Sequence, residues 1–403
     1  MDDTYIGRRV REVRSWRGMN LKATADLAGM SASYLSMIEN GKRPVTRRQT
    51  LEALARALRV APTELTGRPW DRDHDRSTEI HPDLVALAAT LDAYEIGDDP
   101  GDPAREWPAV AADVDRLVEL MQIRADYATQ ATLLPGLLGE LHALYVREPG
   151  LRAVVLLGLL RCYSSATWVA RLLRSDGLTL MAAMRVRQCA DDLAVPAWKG
   201  YAAWLRGVTT GSLNRARQYQ RAVAMADTLT SHLDDIDVAQ AYGQLQLSAA
   251  LAAAAQADRD TAMTHLAEAD AIADRADLDV GQFAQVWFGR INVGIWRATI
   301  GMELGDGAKV AETARGVPVE KIPSPARQAV FYSTVGRGLI SEKRTAEAGL
   351  RLLLRAEHLA PQHVRGDVFV REAVAAMLRR AERDAGGREL RGLAWRMGVA
   401  PIG

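Results

Sequence analysis

Apolar positions in this chain recur at helical spacing almost from end to end, and β-branched runs are brief. Ile6, Val10 and Val13 fall at i, i+4 and i+7, with arginines on the other faces, which predicts a helix over about Ile6 to Arg17. Asn20 is placed to cap a second helix, about Leu21 to Ala28. Ser31 is an N-cap residue for a third, Ser31 to Asn40, with Leu35 and Ile38 as its buried stripe and Gly41 as the left-handed residue that stops it. Thr46-Arg47-Arg48-Gln49 reads as a T-x-x-Q capping box opening a fourth, in which Leu51, Leu54, Ala55 and Leu58 repeat at helical spacing. Pro62 suits the first turn of a short fifth helix reaching Leu65. Helix, Gly-containing turn and helix, with Gly29 between the second and third, is a helix-turn-helix arrangement, whose second helix enters the DNA major groove.

Gly67 to Pro82 is rich in charge, Pro and Gly and lacks periodicity, so it reads as an interdomain linker; a second polar break follows at Gly97 to Pro108. From Arg105 to about Arg396 the pattern is helical throughout. Ala-rich helices recur at Met181 to Asp192, Ala216 to Thr228, Ala262 to Asp274, Ala308 to Gly316 and Ala346 to Leu359, with starts about 35 to 46 residues apart, the scale of a helical-hairpin repeat. A non-repeating helical array is the alternative. The expected organisation is 1–68 for the DNA-binding unit, 69–104 for a linker and connecting helix, and 105–403 for the helical body.

Composition changes this picture in one respect. The 403 residues carry a net charge of +1, but Met1 to Trp70 holds 13 Lys and Arg against 7 Asp and Glu. A basic end on a mildly acidic body suggests one polyanion-binding end. Cys162 and Cys189 form no C-x-x-C pair, which fits a reducing compartment and supplies no metal motif. The N-terminus lacks the apolar core of a signal peptide. The strongest apolar run, near Ala153 to Leu160, is shorter than the ~20 residues of a membrane span, so no membrane association is expected and the location is expected to be cytoplasmic, at the nucleoid.

The stretch GRRVREVRSWRGMNLKATADLAGMSASYLSMIENGKRP, followed by TLEALARALRVAPTEL, resembles the XRE-type helix-turn-helix domain of bacterial and phage repressors. A-G-x-S at the turn, I-E-N-G-K-R-P after the third helix and A-L-x-V before the fifth carry the likeness. The resemblance implies an all-α protein, with a small five-helix lambda-repressor-like domain, and a pairing of Arg14 with Glu39. Where many members carry Gln at the start of the second helix this chain has Leu21 and then Lys22, which makes Lys22 the candidate for that backbone contact. The body looks like divergent tetratricopeptide (TPR) repeats forming an α-solenoid. XRE domain, linker and TPR-like array together resemble actinobacterial regulators of about this length and, more distantly, peptide-sensing quorum regulators.

Candidate DNA-binding residues are Lys22, Ser31, Ala32, Ser33, Tyr34, Ser36, Met37, Asn40, Lys42, Arg43, Arg47 and Arg48. The third helix offers no Arg or Gln for forked base contacts, so phosphates and DNA shape are expected to dominate. Arg47 and Arg48 sit where a helix dipole disfavours cations by roughly 0.3–1 kcal/mol each; phosphate contact explains them, and so does an exposed, screened pair. Trp168, Trp198, Trp204, Trp287 and Trp296 either line a pocket for an apolar effector or pack between helices. Arg185, Arg187, Arg215, Arg217 and Arg221 either grip an anion or form a solvated face. His358 and His363 flank Pro361 without a Cys nearby, a weak metal signal; no metal and no cofactor is expected. With no G-x-S-x-G, P-loop or H-E-x-x-H motif, an enzyme is not expected. Two readings follow. One is a homodimeric transcription regulator that binds operator DNA and whose body senses a small molecule or peptide; the other is a TPR-type protein-interaction scaffold tethered to DNA.

Overall fold

Two apolar cores organise the chain, and one side chain of the body belongs to the smaller of them. The computed structural model describes residues 6–66, 77–173, 175–210, 214–381 and 387–399. Among these the secondary structure is entirely helical.

The first unit holds α1 (Ile6–Trp16), α2 (Leu21–Leu27), α3 (Ala32–Glu39), α4 (Arg48–Ala57) and α5 (Pro62–Thr66). Its caps are short-range. Asn20 Oδ1 accepts from the Ala23 N–H at 2.8 Å, and Ser31 Oγ from the Tyr34 N–H at 3.1 Å. Gly29 and Gly41 have φ of +66° and +67°, left-handed values that only Gly adopts at no steric cost. At the second of these the Gly41 N–H donates to Ile38 and the Lys42 N–H to Met37, closing α3 with a Schellman turn. The capping box expected at Thr46 does not form. α4 begins at Arg48, its N-cap position is Arg47, and no side chain of that segment caps it. The reason lies in the body: Glu303 Oε2 accepts the Arg48 N–H at 2.9 Å and takes over the cap.

The body runs through α6 (Ser77–Ala93), α7 (Trp107–Glu119), α8 (Tyr127–Arg147), α9 (Arg152–Leu172), α10 (Asp176–Leu193), α11 (Pro196–Thr210), α12 (Arg215–Leu229), α13 (Ile236–Ala254), α14 (Arg259–Arg275), α15 (Arg290–Glu303), α16 (Val310–Thr313), α17 (Pro325–Ile340), α18 (Ala346–Leu359), α19 (Pro361–Gly366), α20 (Val368–Ala381) and α21 (Arg388–Arg396). The segment read as a linker is therefore helical from Ser77, and residues 67–76 lie outside those described. The helix expected over Ala308 to Gly316 shrinks to the single turn of α16 after a 3-10 turn. Consecutive helices pack in pairs, most extensively α9 on α10, α13 on α14 and α17 on α18. Close approach has a steric condition at Gly243 on α13, where a Cβ would stand 2.0 Å from the Phe288 ring.

One stretch, Pro149–Leu172, is long and apolar enough to cross a membrane by length and composition, longer than the run the sequence pattern singles out. Of its most apolar window 72% is buried inside the body, the ordinary condition of a core helix.

The smaller core gathers Val10, Leu35, Ile38, Leu54 and Leu58 of the first unit together with Phe369 of α20. Phe369 is 5% exposed, a burial that stabilises by about 1.5–3 kcal/mol.

Candidate nucleic-acid interface and the cavity behind it

α3 presents its polar face outward. Ser31, Ser33, Asn40, Lys42 and Arg43 are exposed, as is Lys22 at the start of α2; Ala32, Tyr34, Ser36 and Met37 are half-buried on the same element. Asn40 Nδ2 donates to the Ser36 carbonyl at 2.8 Å and lies 3.3 Å from Ser36 Oγ, so these two side chains form one polar patch at the helix end. Leu35 and Ile38 anchor the opposite face at 0% exposure. The orientation of α3 is locked from α1. Arg14 Nε and Nη2 grip Glu39 at 2.6 and 2.9 Å, while Arg14 Nη1 donates to the Met19 carbonyl at 2.9 Å. With the Glu39 side chain 5% exposed, this is a buried, forked pair rather than a solvent-screened one.

Arg48 departs from expectation. Its guanidinium pairs with Glu303 of α15 and lies 5.6 Å from the centre of the Phe369 ring. It is thereby turned toward the body, away from the position of a phosphate ligand beside α3. Glu303 also answers the helix-dipole problem raised by a cation in the first turn of α4. The Arg47 guanidinium leans the same way, with Nη1 3.0 Å from where a Cβ on Gly305 would stand.

Further contacts tie the unit to the body. Arg215 holds Glu52 with Nε and Nη2 at 3.0 and 2.7 Å, both side chains about nine-tenths buried. Arg337 Nη2 donates to the Thr46 carbonyl at 2.8 Å. Glu372 accepts from the Ile6 and Val45 N–H groups, each at 3.4 Å. Of the five arginines expected to grip an anion or face solvent, Arg215 thus ties the two units together. Arg185 lies near Glu95, Arg187 pairs with Asp191, and Arg217 donates to Gln220 within its own helix.

Between the unit and the body lies a cavity of about 420 Å³. Leu51, Glu52, Pro62, Thr63 and Thr66 of α4 and α5 form one wall, and helices of the body form the rest. Four of the five tryptophans singled out in the sequence line it: Trp168, Trp204, Trp287 and Trp296. Trp198 does not; it packs against Phe283 with ring centres 4.8 Å apart. Trp168 and Trp204 stand 6.4 Å apart, and Trp296 carries the Arg327 guanidinium 5.1 Å from its ring centre.

The loop beside Trp287 is strained. Ala284, Gln285 and Trp287 have φ of +47°, +50° and +55°, a conformation that costs about 1–2 kcal/mol for a residue with a Cβ. Gln244 and Asn292 hold it there, each donating to the Val286 carbonyl at 2.9 Å.

The charges on this cavity are unevenly matched. Asp367 is held below its ordinary range despite burial, chiefly by Arg337. Arg171 donates to the Thr209 carbonyl at 2.7 Å and is pulled below its usual value by desolvation and then by Arg48 and Arg215. Arg327 donates to Asn292 Oδ1 at 2.7 Å and is lowered by desolvation alone. His363 is also lowered by burial, and its Nδ1 lies 3.2 Å from the Tyr127 hydroxyl. Among the described residues no cluster of three or more His, Cys, Asp or Glu forms a metal cage, and Cys162 and Cys189 are buried and unbridged.

Sequence reading missed Arg171, Arg327, Arg337, Glu303 and Phe369. Only α17 carried a legible signal: Arg327, Ser333, Thr334 and Arg337 follow helical spacing, so one stripe of that helix is largely polar where its neighbours are apolar.

Residues 6–66 match the model of a helix-turn-helix domain family. Two curated relatives, each named HTH-type transcriptional regulator RamB and from two strains of Mycobacterium tuberculosis, are 46% identical over 46 residues, which is 11% of this chain. The match spans only 10% of the length of each relative. No solved structure matches the chain.

Proposed function

We propose that this chain is a DNA-binding transcription regulator of XRE type, working as a homodimer in the cytoplasm and without catalytic activity of its own. The observation that carries the reading is the outward polar face of α3, capped at both ends and locked by Arg14 and Glu39, on a segment that matches a helix-turn-helix family. In this reading α3 enters the major groove. Ala32 and Met37 meet thymine methyls, Ser31, Ser33 and Ser36 meet bases or sugar-phosphate, and Lys22, Lys42 and Arg43 hold phosphates. Two copies read half-sites about one helical turn apart. The names of the two relatives support the same class of activity.

The body, read as TPR-like because its helices pair consecutively, acts as the sensor. The cavity supports this over the scaffold reading, because α4 and α5 wall the space that a partner polypeptide would need. An occupant touching both units has different contacts when the unit moves, which is the condition for coupling to DNA affinity.

Fluorescence anisotropy with the DNA upstream of the protein's own gene tests the reading. Binding should weaken steeply with salt, and Lys42→Ala and Arg43→Ala should each flatten the log–log salt slope by about one. Binding that ignores salt, or a salt slope unmoved by both substitutions, would exclude this mode of DNA contact.

A further inference from the structure

The cavity between the two units is rich in donors with nothing to donate to. Of the buried side-chain polar atoms lacking a hydrogen-bond partner among the described residues, five belong to residues that line it: Trp204 Nε1, Arg327 Nη2, Arg337 Nε, Ser333 Oγ and Gln244 Oε1. The first three can only donate, Ser333 can do either, and only Gln244 Oε1 must accept. Trp204, Gln244, Ser333 and Arg337 are 8%, 1%, 6% and 7% exposed, and Arg327 is half-buried with its Nη2 shielded from solvent. A buried unpaired donor costs about 1–3 kcal/mol, and more when it is charged, so a cluster of them on one cavity calls for acceptors. The rest of the lining sets indole and aliphatic surface beside charged side chains, and its carboxylates Glu52 and Glu303 are taken up by Arg215 and Arg48, while Asp367 is held chiefly by Arg337.

Charge says the same thing independently. Arg48 and Arg215 have carboxylate partners in Glu303 and Glu52. Arg327 has an amide oxygen and an indole face, and among the described residues no carboxylate pairs with it. Arg guanidinium groups keep their proton in proteins, so this half-buried charge, its Nη2 shielded and unpartnered among the described residues, is costly unless an anion meets it.

From this we infer that the cavity is the binding site of a small organic anion, an apolar or aromatic body bearing one carboxylate, sulfonate or phosphate, whose anionic group sits on Arg327 and whose body lies against Trp204 and Trp296. The inference rests on the reading of the body as a sensor and gives that sensor its ligand class. Its position supplies a route to regulation, since the lining includes Leu51 and Pro62 of the helix-turn-helix unit. The occupant bears on α4 and α5 without touching the face of α3.

Two probes that differ only in the anion test the assignment on the full chain. One is 8-anilinonaphthalene-1-sulfonate, and the other is N-phenyl-1-naphthylamine, the same rings without the sulfonate. The sulfonate should bind at one per chain with quenching of tryptophan emission. Arg327→Met should weaken it at least tenfold and Arg327→Lys by less, while the uncharged probe changes less than twofold in both. Arg327→Met removes a partly buried charge together with its hydrogen bond to Asn292 and its contact with Trp296, so it should melt close to the parent. Should it fail to fold, Arg327→Lys and Arg171→Gln still carry the comparison, and each should weaken the sulfonate more than the uncharged probe. Equal loss of both probes in a folded variant, or undiminished sulfonate binding in Arg327→Met, overturns the anion site. Repeating the anisotropy titration at saturating sulfonate separates the two readings. A change in DNA affinity that vanishes in Arg327→Met supports the ligand class and the coupling together. Arg327-dependent probe binding with no effect on DNA affinity keeps the ligand class and removes the sensor role.

Discussion

Glu39 is the residue on which the position of α3 turns. Both its carboxylate oxygens are gripped by Arg14, and almost none of its side chain meets water. Glu39→Gln keeps the shape but removes the charge opposite Arg14, leaving the guanidinium half-served. We expect a loss of about 2–3 kcal/mol in unfolding free energy, read by urea titration. His142 gives a second expectation at this scale. Burial pulls it down to about 4, and its Nε2 lies 2.7 Å from the Tyr163 hydroxyl. Its folded value is below the ordinary value of about 6.5, so the unfolded chain takes up the proton first. The stability that its burial as a neutral ring represents is therefore complete above pH 6.5 and is lost as pH falls toward 4. His265 and His363 are shifted in the same direction, chiefly by burial. The unfolding midpoint should fall across pH 6.5 to 4, and His142→Phe, which cannot protonate, should make that fall shallower.

At the scale of elements, α4 shows what local sequence can and cannot specify. Asn20, Ser31 and Gly41 cap with partners three residues away, so their helices were legible from the sequence alone. Thr46 and Gln49 had the right types for a capping box, yet a carboxylate 255 residues away holds the Arg48 N–H instead. No local pattern announces such a partner. For the same reason the tryptophans were recognisable as candidates for a cavity by type and clustering, whereas Arg327 and Arg171 were three-letter codes among many arginines until the fold buried them. Glu303→Ala should cost about 3 kcal/mol, because it removes the cap and strands the Arg48 charge against Phe369. Adding Arg48→Met should recover part of that loss, a coupling that a double-mutant cycle measures. Gly243 belongs to this scale too. A methyl group there would overlap the wholly buried Phe288 ring, so Gly243→Ala should lower stability by about 1–3 kcal/mol and force the α13 contact apart.

Across the whole molecule, the α3 side and the body-facing side of the first unit divide its arginines and lysines. Lys22, Lys42 and Arg43 remain exposed beside α3, while Arg48 joins the body. The charge asymmetry of the sequence therefore overstates the cationic surface offered to a polyanion, since part of that excess is consumed in holding the two units together. The same division is visible in Phe369, whose ring completes a core that otherwise belongs to the first unit. Modularity is the property this touches. A segment ending after α5 carries every residue that matches the helix-turn-helix family, but it lacks a ring its own interior is built around. Grafted onto a foreign body, or swapped for the corresponding segment of a relative, it would arrive with a hole in that core and with Arg48 facing water. Exchange of such units between proteins would then require the docking position on the receiving body to offer an aromatic side chain in the same place, so the two parts of this chain are constrained to vary together.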